Sequence, residues 1–267
     1  MGFETMPFAE VDGARLFYEI TGSGPPLVFV HGAGGNQLIW FQQVPSFART
    51  FTSVSYDQRG WGRSIAPEDG VSGRAFVTDL SGLLDALGID AAHLVAHSMG
   101  GWTALGLAHR HPERVRSLTL CGTTGGIETA EIRTAVRLGH EPEPDEDLPF
   151  TAAASLSARF VRERPDLAYL YTTIGGLNPP HPRLPMADHL RSINVLSAEQ
   201  AAALRVPVQF VAGEESSAVP PAAIKLAQRL VPGSRFVLVP GTGHAVFYEQ
   251  PGIFNRLVER FIAETSS

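Results

Sequence analysis

The alternation of strand-like and helix-like segments limits the fold of this chain more than any other feature. Helical spacing at 74–87, where leucines recur every three or four residues, is typical of the segments between the strands. This alternation predicts a parallel sheet with helices on both faces, and sites in such sheets lie at the carboxyl ends of the strands. The predicted strands of this first half are 27–30, 51–56, 94–96 and 115–121.

The composition argues against several classes of function. Of the 267 residues, 44% are hydrophobic and 18% are charged, which is typical of a globular protein with a sizeable core. The net charge is −6 and the arginines form no stripe, so no nucleic-acid partner is expected. Cys121 is the only cysteine, which fits a reducing compartment, and a cytoplasmic location is predicted. We see no signal peptide and no membrane-spanning run, so no membrane partner is expected.

The residues around Ser98 connect a strand to a helix with almost no linker. The predicted strand 94–96 ends just before this serine, and a helix-type stretch follows it. Such a turn strains the corner residue and requires small neighbours, which are Ala96 and Gly100, two positions away on either side. The pattern predicts a nucleophile elbow. The alternative is an ordinary serine that caps the helix.

A glycine-rich loop at 31–35 follows a buried strand and has two serious interpretations. Gly32 and Gly34 fit a dinucleotide-binding turn, and Asp57 lies where its ribose-binding acid would be. Gln37, however, occupies the place of the third glycine. The second interpretation is a loop whose backbone N–H groups face a developing negative charge. We favour the second interpretation, and no cofactor is predicted. A tight turn without a ligand is the remaining alternative. Asp57 is expected to pin a turn by pairing with Arg59 or with nearby backbone groups.

The pattern changes after residue 122, where helical segments alternate with proline-rich breaks. We interpret this part as a helical cap inserted into the sheet domain, because strands resume at 207–212 and 235–239. An acidic stretch at 141–147 is expected to be a solvated loop, and no metal site is predicted. The predicted division is a core formed by 1–122 and 204–267, and a cap formed by 123–203.

His244 is the best candidate for a catalytic base among nine histidines. It follows a predicted strand directly, on the same sheet edge as Ser98. A serine hydroxyl is a poor nucleophile unless a base removes its proton. His97 is expected to point elsewhere, and His31 is expected to shape its loop.

Four motifs follow one another along the chain. They are His31-Gly32-Ala33-Gly34-Gly35, Asp57-x-Arg59-Gly60-x-Gly62-x-Ser64, Ala96-His97-Ser98-Met99-Gly100-Gly101, and Gly241-x-Gly243-His244 with Glu249-Gln250-Pro251. In this order they resemble the α/β-hydrolase superfamily, specifically its cap-bearing esterase, lactonase and cofactor-free haloperoxidase-like group. The resemblance covers nearly the whole chain outside the cap. It implies a mostly parallel, eight-stranded sheet flanked by helices, with Ser98 as nucleophile and His244 as general base. It also implies an oxyanion hole formed by the backbone N–H groups of Ala33 and Met99.

The chain departs from this family at the acid that orients the histidine. Ser216 occupies the place where such hydrolases have an aspartate. Glu215 is predicted to reach His244 instead, and Glu214 is the second choice. An acid after the strand 115–121 is a further alternative, although the loop that follows that strand contains no carboxylate. Otherwise Ser216 or a water completes a weakened dyad.

These residues together predict hydrolysis of an ester or lactone through an acyl-enzyme. Apolar residues in the cap predict a small, mostly hydrophobic substrate as the partner, and the oligomeric state is not predicted. C–C bond hydrolysis or perhydrolysis could use the same residues. A degenerate hydrolase that only binds a small molecule is an alternative from another class. The predicted pocket residues are Gly32, Trp40, Trp102, Tyr171, Leu177 and Ala245.

Overall fold

A computed structural model describes residues 7–67, 73–139, 155–179 and 186–265, and there the chain forms one eight-stranded sheet. The strand order is β1-β2-β4-β3-β5-β6-β7-β8. β2 pairs antiparallel with β1 and β4, and the remaining pairs are parallel. The predicted fold class is confirmed. The strands are β1 Phe8–Val11, β2 Ala14–Thr21, β3 Pro26–Val30, β4 Thr52–Tyr56, β5 Ala92–His97, β6 Val115–Cys121, β7 Val208–Gly213 and β8 Arg235–Val239.

Parallel register brings the carboxyl ends of the central strands to one edge. Val30 of β3 lies opposite Ala96 of β5, and Cys121 of β6 lies opposite His97. Gly213, the last residue of β7, is aligned with Val239, the last residue of β8. The loops that follow these strands therefore meet at this edge, as the alternation predicts.

Helices cover both faces of the sheet. One buried cluster packs β3, β5 and β6 against helices that include α2 (Phe76–Ala86) and α3 (Met99–Arg110). The other cluster packs the opposite face against α1 (Val44–Phe47) and α11 (Pro251–Thr265). β5 is buried along its whole length because it lies between these layers. The core helices are α1 Val44–Phe47, α2 Phe76–Ala86, α3 Met99–Arg110, α9 Pro221–Arg229, α10 Val246–Glu249 and α11 Pro251–Thr265. Short 3₁₀ turns occupy Gln37–Trp40, Gly73–Ala75 and Pro112–Arg114.

The described residues between β6 and β7, in the segment predicted to form the cap, include five helices. They are α4 Ala130–Gly139, α5 Ala158–Glu163, α6 Pro165–Gly176, α7 Met186–Ile193 and α8 Ala198–Ala202. The acidic stretch at 141–147 lies outside the described residues. The boundaries of 123–203 as a separate cap stay a prediction. In the described parts of the chain, no helix has the length and apolarity needed to cross a bilayer.

A buried ion pair fixes the loop that follows β4. Arg59 donates from Nε to Asp79 Oδ2 at 2.7 Å and from Nη2 to Oδ1 at 2.6 Å, which attaches the loop to α2. Both side chains are almost completely buried. Asp57 pins the turn through backbone N–H groups, accepting from Gln37 at 2.6 Å and from Arg63 at 2.7 Å. This agrees with the expected turn-pinning role of Asp57, with the backbone rather than Arg59 as its partner.

We predict that Asp79→Ala destabilises the protein by about 3 kcal/mol or more, because it removes the carboxylate that neutralises the buried Arg59 guanidinium. Asp85→Ala is the matched control on the same helix: Asp85 is 66% exposed and pairs with Arg114 at 2.7 Å, and such surface pairs contribute under about 1 kcal/mol. Urea unfolding of both variants measures the difference. Equal losses would contradict the importance of the buried pair.

Candidate active site

Ser98 lies in the strand-to-helix turn between β5 and α3 and has a strained backbone. Its φ is 49° and its ψ is −117°. Such a backbone in a residue other than glycine costs about 1–3 kcal/mol, so the surrounding structure must impose it. The Ser98 N–H donates to the Cys121 carbonyl at 3.0 Å. The Ser98 side chain makes no capping hydrogen bond to α3. The helix-cap alternative is therefore wrong, and the geometry is that of a nucleophile elbow.

Two glycines allow the loop at 31–35 to lie directly against this turn. A Cβ on Gly100 would lie 2.4 Å from the carbonyl oxygen of Val30. A Cβ on Gly32 would lie 3.0 Å from the Cβ of Ser98. Neither position has room for a side chain, which explains the small residues at these positions. Ala33 and Met99, whose N–H groups the family resemblance implicates, line the same cavity as Ser98.

His31 shapes this loop through a fixed pair of hydrogen bonds. Its Nε2 accepts from the Gln58 N–H at 2.9 Å, so its Nδ1 carries the proton and donates to the Gly32 carbonyl at 2.8 Å. The Gln58 side chain donates to the His31 carbonyl at 2.8 Å and accepts from Thr103 on α3 at 2.7 Å. These bonds tie the loop to α3 and leave His31 engaged as a structural residue.

His244 is buried in the loop after β8, and its two ring nitrogens have different surroundings. Burial lowers the pKa of His244 to about 4. Its Nδ1 lies 3.3 Å from the hydroxyl of Ser216, which donates its own proton to the Val219 carbonyl at 2.9 Å. The hydroxyl can therefore only accept from Nδ1–H, and the lone pair is on Nε2. Nε2 is buried and makes no hydrogen bond within the described part of the chain. This neutral tautomer is the one a general base requires.

The structure does not bring the predicted acid to His244. Glu215 is exposed, and its N–H donates to the Thr242 carbonyl at 2.9 Å. Glu214 is exposed as well, and its carboxylate accepts from the Gly241 N–H at 3.0 Å. The prediction of Glu215, with Glu214 as second choice, is corrected by this geometry, and Ser216 occupies the position beside Nδ1.

Two loops pack tightly against each other next to the exposed glutamates. A Cβ on Gly213 would lie only 1.9 Å from the carbonyl oxygen of Gly243. The chain leaving β7 is thus pressed against the histidine loop, and Ser216 is the buried side chain of this turn. The loop after β6 also reaches the ring, because a Cβ on Gly122 would lie 2.9 Å from His244 Nδ1. Gly122 has no carboxylate to offer to Nδ1. The structure therefore does not support the alternative of an acid in the loop after β6.

His97 contacts the site, contrary to the expectation that it points elsewhere. Its ring centroid lies 4.7 Å from that of His244 and 4.9 Å from that of Phe247. Burial, and then the neighbouring His244, hold the pKa of His97 well below its usual value. A neutral His97 packs as an aromatic ring and adds no positive charge beside His244. The sequence signal for this contact is its place next to Ser98.

Ser98 opens into a cavity of about 440 Å³ between the sheet edge and the helices α4 and α7. Of the predicted pocket residues, Trp102 lines this cavity and Gly32 lies against Ser98. Gly32 and the other four are not among the lining residues of this cavity, and the pocket role predicted for these five stays a prediction. Trp40 and Ala245 are completely buried in the core, Tyr171 packs its ring on Tyr248 and Leu177 is 59% exposed. The lining residues are Ala33, Ser98, Met99, Trp102, Thr123, Thr124, Glu128, Ile132, Arg133, Val136, Arg137, Leu190, Arg191, Ala218 and Val219.

Glu249, which sequence reasoning did not assign to any role, joins the histidine loop to the helical segment. Its Oε1 accepts from the Gly243 N–H at 2.9 Å and from the Ser157 N–H at 2.8 Å. Its Oε2 accepts from the Ser157 hydroxyl at 2.6 Å, and that hydroxyl caps α5. Burial raises the pKa of Glu249 above its usual value, and these hydrogen bonds oppose the shift. One carboxylate thus anchors both the residue before His244 and the start of α5.

The chain matches the alpha/beta hydrolase fold family over residues 25–251 and belongs to it. It is 30% identical to a 2-(acetamidomethylene)succinate hydrolase of Mesorhizobium japonicum over 261 residues, covering 94% of each chain. It is 32% identical to a 2-hydroxymuconate semialdehyde hydrolase of Pseudomonas putida over 271 residues, covering 96% of this chain and 93% of the relative. A solved structure described as an N-acyl homoserine lactone degrading enzyme matches with a TM-score of 0.75 and 28% identity, covering 96% of this chain and 100% of that one. The predictions of the family and of the hydrolase class are confirmed.

We predict that Glu249→Ala lowers the free energy of unfolding by about 2 kcal/mol or more, because it leaves two buried N–H groups without acceptors. Glu249→Gln keeps an oxygen at this place and should lose less. The matched control is Glu259→Ala on α11, which removes an exposed carboxylate. Urea unfolding compares the three variants. Equal midpoints for Glu249→Ala and Glu259→Ala would show that the carboxylate does not anchor these segments.

Proposed function

We propose that this chain is a serine hydrolase that cleaves an ester or lactone bond of a small, mostly hydrophobic substrate. The single observation that carries the proposal is the strained Ser98, which lies at the N-terminal end of α3 and lines a cavity of about 440 Å³. Strained residues of this kind cluster at functional sites, and a strained serine at a strand-to-helix turn is typical of a nucleophile. The one free, buried thiol, Cys121, fits the cytoplasm as the compartment.

The proposed reaction uses the hydroxyl of Ser98 and the free lone pair of His244. Nε2 takes the proton as Ser98 Oγ attacks the carbonyl carbon, and the imidazolium then protonates the leaving alcohol. Backbone N–H groups of Ala33 and Met99 stabilise the oxyanion, at about 3 kcal/mol for each donor. Water activated by the same nitrogen then releases the acid from Ser98. Apo structures often show longer distances between these groups than the reacting complex does, so the unbonded Nε2 suits this role.

The relatives support hydrolysis. Two related reactions, C–C bond hydrolysis and perhydrolysis, are the alternatives to ester or lactone cleavage. One similar structure belongs to a lactone-degrading enzyme, which favours ester or lactone cleavage. The Pseudomonas relative is a 2-hydroxymuconate semialdehyde hydrolase, which favours C–C bond hydrolysis as the second candidate. Perhydrolysis would use the same residues. Mass spectrometry of the products separates these reactions, because only C–C hydrolysis shortens a carbon chain.

Covalent labelling tests the proposed nucleophile. We expect a fluorophosphonate probe to label Ser98, and Ser98→Ala to abolish both labelling and ester hydrolysis, since no other hydroxyl has the same position. His244→Ala should slow labelling by a factor of about 10² or more, because the base is removed. Mass spectrometry of the digested protein locates the label. Labelling elsewhere, or a binding protein that never reacts, would refute the proposal.

The serine beside Nδ1 leads to a specific pH dependence. His244 must be neutral to accept a proton, so activity falls as pH falls through its pKa, which burial lowers to about 4. We expect kcat/KM for an ester to stay level down to about pH 5. Ser216→Asp should place a carboxylate beside the ring, move this acidic limb upward and raise kcat, because the carboxylate stabilises the imidazolium.

Glu215→Gln is the matched control for this experiment. Its side chain is exposed and makes no contact with His244 in the described structure. It should therefore leave both kcat and the acidic limb unchanged. If Glu215→Gln lowers kcat strongly while Ser216→Asp has no effect, the exposed glutamate moves to the histidine during the reaction and the role assigned to Ser216 is wrong.

A further inference from the structure

The cavity at Ser98 has a strongly charged wall that the proposed reaction does not use. Arg133 and Arg137 lie one turn apart on α4, and Arg191 lies on α7 across from them. All three line the same cavity as Ser98. One carboxylate, that of Glu128, is among the lining residues. The wall therefore carries three guanidinium groups against one carboxylate, in a chain whose net charge is −6.

The single carboxylate is already shared by two of these arginines. Arg191 Nε lies 3.2 Å from Glu128 Oε1, and Arg133 Nη1 lies 3.7 Å from Oε2. The Glu128 side chain is only 16% exposed, whereas those of Arg133 and Arg191 are 49% and 46% exposed. Arg191 Nη1 also lies 3.8 Å from Oδ1 of Asp188, whose side chain is 72% exposed. Each guanidinium has five N–H donors, so donors remain beyond those that these two carboxylates use. Arg137 forms no ion pair with any residue in the described ranges.

The same helices give the cavity an apolar surface directly beside these charges. Ile132, Val136 and Leu190 each precede one of the arginines and also line the cavity. An apolar wall with guanidinium groups along it suits a ligand with an apolar body and an anionic group. Arginines that are only solvated on a helix surface would not be expected to line the same cavity as Ser98 from two separate helices. Guanidinium groups bind carboxylates through paired, charge-assisted hydrogen bonds.

We propose that Arg133, Arg137 and Arg191 bind a negatively charged group of the substrate, a carboxylate in the simplest form, while its ester or lactone carbonyl lies at Ser98. This rests on the proposed function and narrows its substrate class to an apolar ester or lactone that carries an anionic group. Glu128 holds two of the arginines in place and competes with the substrate for them. The positive wall also attracts anionic substrates to the cavity of an acidic protein.

Two 4-nitrophenyl esters of matched shape test this selectivity. One is the monoester of glutaric acid, and the other is the 5-methylhexanoate ester, in which an isopropyl group replaces the carboxylate. We expect the double variant Arg133→Gln, Arg191→Gln to lower kcat/KM for the glutarate ester about tenfold or more. The neutral ester should change by less than about twofold. Equal effects on both esters, or no effect on either, would overturn the proposal.

Two further variants separate charge from structure. Glu128→Gln removes the competing carboxylate and should raise kcat/KM for the glutarate ester alone, a change opposite in sign to that of the arginine variants. Arg162→Gln on α5 removes an exposed arginine that does not line the cavity, and it should change neither ester. A fall for both esters in Glu128→Gln would mean that the ion pairs serve only to hold the helices together.

Binding to an inactive protein distinguishes failure of this inference from failure of the proposed function. Calorimetry with Ser98→Ala measures the Kd of each ester without turnover. We expect the added Arg133→Gln and Arg191→Gln changes to weaken binding of the glutarate ester about tenfold or more and to spare the neutral ester. Charge-selective binding with no hydrolysis by the wild-type protein would refute only the reaction. Hydrolysis with no charge selectivity in either assay would refute only the anionic substrate.

Discussion

The strained backbone of Ser98 depends on two neighbouring segments that hold its turn from opposite sides. The carbonyl of Cys121 at the end of β6 accepts its N–H, and the Val30 carbonyl at the end of β3 lies against Gly100 in the first turn of α3. Both partners are placed by the parallel register of three adjacent strands. A shift of one residue in that register would reverse the side-chain faces of β5 and remove the turn's support. The position of the candidate nucleophile is therefore a property of the whole sheet.

The histidine is controlled by burial and by a neutral partner. A carboxylate beside Nδ1 would fix the tautomer and also stabilise the imidazolium that forms during the reaction. The hydroxyl of Ser216 can do only the first, because it has no charge. Burial also disfavours the charged ring of His244. The His97 ring beside it is neutral and adds no charge. In the proposed reaction, His244 is thus ready to accept a proton, but the resulting cation receives little stabilisation.

The sequence was sufficient to predict the sheet, the turn at Ser98 and the edge on which His244 lies, because strand order and local periodicity determine these features. It was not sufficient for the acid. Glu215 is longer than aspartate and only one position away, but it is exposed, in a turn where Gly213 lies tightly against the Gly243 carbonyl. That close approach joins loops about 30 residues apart, and no local pattern indicates it. Trp40 was likewise predicted to line the pocket, whereas its ring packs on Phe29 and Phe247 in the core.

The charged wall of the cavity is a feature that the sequence pattern of the arginines does not indicate. No stripe of basic residues exists along the chain, yet helices from two separate parts of the segment between β6 and β7 bring Arg137 and Arg191 to one cavity. Ser98 and His244, the groups proposed to react, lie in turns and loops that follow strands of the sheet instead. Under the two proposals, chemistry and substrate selection are carried by different segments. Changes in the helices would then alter the substrate without disturbing the strained turn.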